Sequence, residues 1–350
     1  MIGRVAVVGA GVMGSEIAQA TASAGVEVVL LDSDPAALER GIAHVARIGE
    51  RRVARGRMTP SEAEAILGRI TPAASDGDLV SCDLAIEAVP ETMELKREVF
   101  RRLDAALPPG ALLASNTSGL SITALGRETR RPDRVLGLHF FNPASVMRLV
   151  EVVRGEDSGE EAIATAEAFA RSLGKAPVRV RECPGFLVNR VLVRALAAAY
   201  RQAAESGADR AAADRAVVDG GPAPMGPFAL GDLIGLDTLE QVRAHLEEAY
   251  GDRFDDGGTT AREVAAGRLG AKSGAGFHEG GAPEAPADAP GRAVAERFYA
   301  GALDEARRCL EEGIAAAGDI DLAMRHGCGW SPGPLEWAEG HGPVRPVRGD

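Results

Sequence analysis

The apolar positions of this chain follow two rhythms. In the first half, short β-type runs alternate with helical ones. Arg4–Val8, a helical pattern from Ile17 through Ala24, and Val26–Leu31 come first; Asp83–Glu87, a helical segment over Thr92–Leu107, and Ala111–Ala114 follow. Alternation at this spacing predicts an α/β sheet of the Rossmann type, which Pro177–Val180 closes. Past Glu182-Cys183-Pro184-Gly185, read as a hinge, only helical periods remain: Phe186 to Ser206, Asp209–Val218, a run opened by Gly226-Pro227, and Asp237–Tyr250. The expected organisation is an α/β Rossmann-type N-terminal domain over 1–183 followed by an all-α domain over 184–278.

A Pro/Ala/Gly-rich stretch within 279–291 reads as a disordered or extended linker. Residues 292–350 then repeat features of the helical domain. Asp319–Met324 and Gly333-Pro334-Leu335-Glu336-Trp337 echo the first copy, which contains Gly226-Pro227-Phe228. This partial second copy is shorter and lacks a counterpart of Pro184–Arg190, so it is assigned no catalysis.

The chemistry starts at Gly9-Ala10-Gly11-Val12-Met13-Gly14, which joins the first strand to the first helix. That is the glycine loop of dinucleotide-binding folds, and Met13 is counted with its cofactor-binding residues. Gly9 makes the tight turn, Gly11 lets a pyrophosphate approach the backbone, and Gly14 lets the helix pack close to the strand. The helix N-terminus offers free N–H groups and a partial positive charge to the phosphates. Asp32, at the end of the second strand, is placed to bind the adenosine ribose hydroxyls and to repel a 2′-phosphate. The expected cofactor is NAD rather than NADP. Ligands in such sheets sit beyond the carboxyl ends of the strands, which puts Glu91, Asn116 and Ser118 at the cleft.

Two further apolar runs, Val135–Phe141 and Arg148–Val153, flank the breaker Asn142-Pro143. If they pair antiparallel about Ser145, His139 and Glu151 face each other. A carboxylate beside an imidazole fixes its tautomer and stabilises the imidazolium that forms when it takes a proton, which equips the pair for acid–base chemistry at neutral pH.

Composition narrows the partners. A net charge of −12 argues against nucleic acid. No apolar run reaches the roughly 18 residues of a membrane span, and the N-terminus shows no signal-peptide pattern. The four cysteines are scattered and the six histidines have no ligand spacing, so no metal site is expected and a cytoplasmic location is. Against the acidic background, Arg47, Arg51 and Arg55 fall at i, i+4, i+8 on an expected helix, with Arg52 and Arg57 beside them. Such a stripe suits phosphate groups.

These residues carry a family likeness. The chain resembles the L-3-hydroxyacyl-CoA dehydrogenases of fatty-acid β-oxidation, including the bacterial 3-hydroxybutyryl-CoA dehydrogenases. The resemblance runs to about residue 278 and rests on GAGVMG, Glu87 to Glu91 with Lys96, SNTSGLSIT, GLHFFNP, MRLVEV, PGFLVNR and PMGPFALGDLIGLD. It implies that His139 is the general base, oriented by Glu151, with Ser118 and Asn189 around the reacting oxygen. It further implies that Glu91, Lys96, Asn116 and Asn142 contact the ribose and nicotinamide end of NAD, and that Arg51 and Arg52 face the phosphates of an acyl-CoA substrate. A homodimer is expected, or a monomer if the second helical copy stands in for a partner's domain. Ala275 and His278 depart from the usual Lys or Arg and Tyr of relatives. Two rival readings remain: the same chemistry on an acyl group held by a carrier protein, and a noncatalytic, crystallin-like NAD-binding protein. A 6-phosphogluconate-type dehydrogenase would need a lysine after Pro184, where the chain has Asn189 and Arg190.

Overall fold

Strands that are apolar on both faces need helices on both sides, and the first strands here are of that kind. The computed structural model describes residues 2–341. Its first elements, in order, are β1 (Arg4–Val8), α1 (Val12–Ser23), β2 (Glu27–Leu31), α2 (Pro35–Ala54), α3 (Pro60–Gly68), β3 (Ile70–Ala73) and β4 (Leu84–Glu87). Then come α4 (Met93–Ala106), β5 (Leu112–Ser115), α5 (Ile122–Gly126), β6 (Val135–Phe140), β7 (Leu149–Arg154), α6 (Glu160–Ser172) and β8 (Ala176–Arg181).

The eight strands form one sheet, ordered β3-β2-β1-β4-β5-β6-β7-β8. Strands β1 to β6 run parallel; β7 returns antiparallel to β6, and β8 lies parallel to β7. Strand order reverses at β1, so the crevice beyond β1 and β4 is the switch point where such sheets bind ligands. Val5, Val7, Ile17, Leu30, Ile86, Leu138 and Val152 belong to the core that joins sheet and helices. Two elements escape the apolar pattern. β3 contains Pro72 and pairs with β2 at the sheet edge, the one place where a missing N–H is tolerated. α6 shows its face through small residues, burying Ala162, Ile163, Ala166, Phe169 and Ala170.

The chain divides into two units, Met1–Glu182 and Cys183–Asp350. The second contains α7 (Val188–Ser206), α8 (Arg210–Gly220), α9 (Pro227–Ile234), α10 (Leu236–Tyr250), α11 (Thr259–Ala265), α12 (Ala289–Glu311), α13 (Ala317–Cys328) and α14 (Pro334–His341). The stretch between the two helical copies is shorter than its composition suggests. Asp288 accepts the N–H of Gly291 at 2.6 Å and starts α12 at Ala289-Pro290, a favoured position for proline. Residues 342–350 of the expected second copy lie outside the described residues.

The repeat is visible in atomic detail. Asp214 accepts the N–H groups of Phe228 (2.8 Å) and Ala229 (3.0 Å), which caps α9 from α8. At the same offset in sequence, Asp321 accepts those of Leu335 (2.8 Å) and Glu336 (3.2 Å) and caps α14 from α13. Both helices open with Gly-Pro. A Cβ at Gly226 would stand 2.3 Å from the Cα of Asp214, and one at Gly333 would stand 2.5 Å from that of Asp321. The two copies meet where α12 packs along α7 and α8. There Arg190 of α7 is fully buried and donates from Nε to Glu305 of α12 at 2.9 Å and from Nη1 to Glu312 at 2.8 Å. Its guanidinium lies 4.3 Å from the Tyr250 ring centroid.

Candidate active site

The glycine loop has the shape a pyrophosphate needs. Gly9 adopts φ of +105°, and a Cβ there would come within 2.5 Å of the Ala88 carbonyl oxygen. A Cβ at Gly14 would stand 1.8 Å from the Gly9 carbonyl oxygen, so the close approach of α1 to β1 excludes any side chain. Around Gly11 a Cβ would meet nothing within 4 Å. The open side of the loop is therefore at Gly11, the N-cap of α1, which has no side-chain cap. Uncapped N–H groups facing open space at a helix start are an anion cradle, so the residues present fit a dinucleotide. Met13 packs from the first turn of α1 against the core. Asp32 accepts the N–H of Ala10 (2.7 Å) and that of Asp34 (2.9 Å). The acid is thus tied to the glycine loop.

His139 pairs with Glu151 across β6 and β7, in the register that symmetry about Ser145 predicts. The Nδ1–Oε2 distance is 2.6 Å, with the imidazole 7% and the carboxylate 0% exposed. An ionised carboxylate can only accept, so Nδ1 is the donor in this contact. The Phe141 ring lies 4.5 Å from the imidazole, centroid to centroid. Because β6 runs parallel to β1 and His139 is its penultimate residue, the imidazole stands at the same carboxyl edge as the glycine loop.

Between them runs a buried polar chain. Glu87, the last residue of β4, is fully buried and accepts from Lys96 Nζ (2.6 Å), Ser115 Oγ (2.6 Å) and Val89 N–H (2.7 Å). Lys96, 1% exposed, reaches on to Glu91 at 3.2 Å. Glu91 in turn accepts the N–H of Ser118 at 2.9 Å and the Thr117 hydroxyl. Asn116 Oδ1 accepts the N–H of Phe140 at 2.9 Å, linking the end of β5 to the strand that carries His139. The same segment is fixed at its far end by Glu182, which accepts from Ser121 Oγ and from Thr123 Oγ1 and N–H. Asn142 is exposed in the β6–β7 loop. That loop is held by Glu16, which accepts the Ser145 N–H at 3.1 Å, and by Lys175, which donates to the carbonyls of Ala144 and Met147. Burial pushes the Lys175 ammonium down from its ordinary range.

Glu87, Thr117, Glu16, Lys175 and Glu182 were not singled out from sequence as site residues. A charged residue ending an apolar strand, as Glu87 does, is the one local signal among them. Asn189 lies in the second unit, in the first turn of α7. His278 is buried there with Nε2 at 2.8 Å from Asp214, so the unusual histidine has a partner inside the helical copy. Arg47 and Arg51 are exposed on α2, Arg55 is its C-cap and Arg52 is half-buried. Among the described residues, these four arginines and Arg57 make no ion pair.

An open glycine loop with an acid at the end of β2, and a carboxylate-backed imidazole at the same sheet edge, define a dinucleotide-binding fold with an acid–base pair beside its cleft. Residues 4–183 match the NAD binding domain of 3-hydroxyacyl-CoA dehydrogenase, and residues 185–280 and 294–343 both match its C-terminal domain. The chain belongs to the 3-hydroxyacyl-CoA dehydrogenase family, with a truncated second copy of the C-terminal domain. It is similar to the fatty acid oxidation complex subunit alpha of Pseudomonas aeruginosa, at 35% identity over 93% of this chain and 49% of the relative. The chain thus spans about half the length of the curated relatives it matches. Among solved structures, 3-hydroxybutyryl-CoA dehydrogenase from Escherichia coli K12 superposes with a TM-score of 0.91 at 32% identity, covering 98% of this chain and 92% of that one. (S)-3-hydroxybutyryl-CoA dehydrogenase PaaH1 from Ralstonia eutropha gives 0.77 at 38% identity, covering 80% and 99%.

Proposed function

We propose that the chain oxidises the 3-hydroxyl of an (S)-3-hydroxyacyl-CoA thioester to the 3-oxo compound, reversibly, in fatty-acid or related acyl-CoA metabolism. The observation that carries this reading is the His139–Glu151 pair at the carboxyl edge of the sheet. NAD, held by the glycine loop and Asp32, would supply the hydride acceptor for C3. His139 Nε2 takes the hydroxyl proton, and Glu151 balances the imidazolium that results. In the reverse direction the same nitrogen returns the proton. Ser118 and Asn189 hydrogen-bond the reacting oxygen. Asp32 binds the adenosine ribose, while Glu91, Lys96, Asn116 and Asn142 serve the ribose and nicotinamide end. The Glu87–Lys96 pair keeps Glu91, and through it the Ser118 backbone, in place.

Arg51 and Arg52 hold the anionic end of coenzyme A, a reading supported by their lack of ion-pair partners among the described residues. A cytoplasmic setting, and a homodimer or a monomer in which the second copy mimics a partner's domain, complete the proposal. NADH formation should be followed with 3-hydroxyacyl-CoA thioesters of several lengths beside the same acyl groups on a carrier protein. His139→Gln should lower kcat by about 100- to 10,000-fold while NAD still binds. Near-normal turnover would remove the base assignment, and a preference for the carrier-linked thioester would move the substrate class.

A further inference from the structure

The second helical copy keeps a cradle whose occupant is known from the first. In the first copy, Asp232 accepts the backbone N–H groups of Phe277 (2.7 Å) and His278 (2.9 Å). Asp214 pairs with the His278 ring at 2.8 Å, and Arg210 donates to the Phe277 carbonyl at 2.9 Å. The Phe277 ring packs 5.1 Å from Phe228, centroid to centroid. An extended aromatic–histidine pair is thus held by two carboxylates and an apolar wall.

The offset that carries Asp214 onto Asp321 and Gly226-Pro227 onto Gly333-Pro334 also carries Arg210 onto Ala317, Phe228 onto Leu335 and Asp232 onto Glu339. Ala317, Asp321, Leu335 and Glu339 all line one surface cleft between α13 and α14. Both carboxylates of the cradle are kept, the wall stays apolar, and Arg210 and Phe228 have shrunk to Ala and Leu, which widens the cleft. Arg325 at its rim is engaged by Glu336 at 2.6 Å. Asp321 and Glu339 make no ion pair among the described residues, so the cleft is acidic. As with Asp214, burial pushes the Asp321 carboxyl up, which favours a cationic neighbour. The chain's own Phe277 and His278 are held in the first copy and cannot serve here.

We propose that this cleft docks an extended segment of a partner polypeptide, in which an aromatic residue is followed by histidine or another cation. The aromatic ring lies on Leu335 over Ala317, two successive N–H groups donate to Glu339, and the cationic side chain pairs with Asp321.

The test is fluorescence anisotropy of the full chain with a labelled peptide of residues 270–280. Saturable binding is expected, weakened at least about tenfold by Glu339→Lys, a loss that one charge reversal readily supplies. Phe277→Ala in the peptide should weaken it similarly. Glu339 is exposed, so this variant should keep the wild-type Tm. Absence of saturable binding to about 1 mM overturns the proposal, as does binding that ignores Glu339→Lys. Binding that appears only in Arg345→Glu/Arg348→Glu also overturns it, because the chain's own C-terminal residues would then be the occupant.

Discussion

Each unit buries a basic side chain against a carboxylate, and the two pairs differ in chemistry. In the first, His139 meets Glu151 through Nδ1, with both side chains nearly sealed from solvent. In the second, Arg190 is equally sealed, its nitrogens donate to Glu305 and Glu312, and its face rests on Tyr250. An imidazole can lose its proton near neutral pH; a guanidinium cannot. The same kind of burial therefore suits the proposed acid–base pair in one place and a fixed joint between two helical copies in the other.

The sharpest way to break this comparison is to neutralise each carboxylate or cation in turn. Glu151→Gln should cost the largest free energy, appearing as a fall in kcat of about 100- to 10,000-fold with a minor change in Tm. Unfolding without a specific loss of turnover would make this pair structural too. Arg190→Ala should do the reverse, lowering the unfolding free energy by about 3–5 kcal/mol because buried Glu305 loses its closest partner and keeps only Arg253, at 3.0 Å. Urea melts would show it, and Arg190→Met with Glu305→Leu should recover most of the loss. If the double variant is as weak as the single one, the joint is more than a charge pair.

A smaller effect sharpens the likeness between the helical copies. Gly226→Ala and Gly333→Ala each drive a methyl into the backbone of the capping aspartate and should cost about 1–3 kcal/mol. Comparable losses would mean the two caps carry equal loads; a silent Gly333→Ala would mean the second copy is held elsewhere. The smallest effect concerns acid stability. Burial would raise the Asp104 carboxyl, but hydrogen bonds from Arg130 and Arg131 outweigh it and hold the group below its ordinary range. Its contribution is present above the unfolded value and is lost as pH falls through the lower folded one. Asp104→Asn should therefore flatten the acid limb of the Tm–pH curve, and an unchanged limb would assign that limb to other carboxylates.

What the sequence disclosed follows from separation along the chain. The glycine loop, Asp32 and the strands around them are local patterns. The His139–Glu151 register could be read because one hairpin relates its two strands. Glu87 meets Ser115 across 28 positions, Glu182 meets Ser121 across 61 and Glu16 meets Ser145 across 129, so their tasks appear only once the sheet is assembled. The Gly-Pro echo announced the repeat, whereas the aspartates that make it work, Asp214 and Asp321, carry no local mark.

Asp32 has a consequence for anyone wishing to change the coenzyme. Each of its oxygens already accepts one amide, from Ala10 or Asp34, and keeps a further lone pair. If Asp32 has the proposed role, trimming it to alanine would remove the repulsion of a phosphorylated ribose and, in the same stroke, release the two amides it holds, one of them in the glycine loop. A redesign should therefore keep an uncharged acceptor at this position, such as asparagine or serine, and supply the new positive charge from a neighbouring side chain.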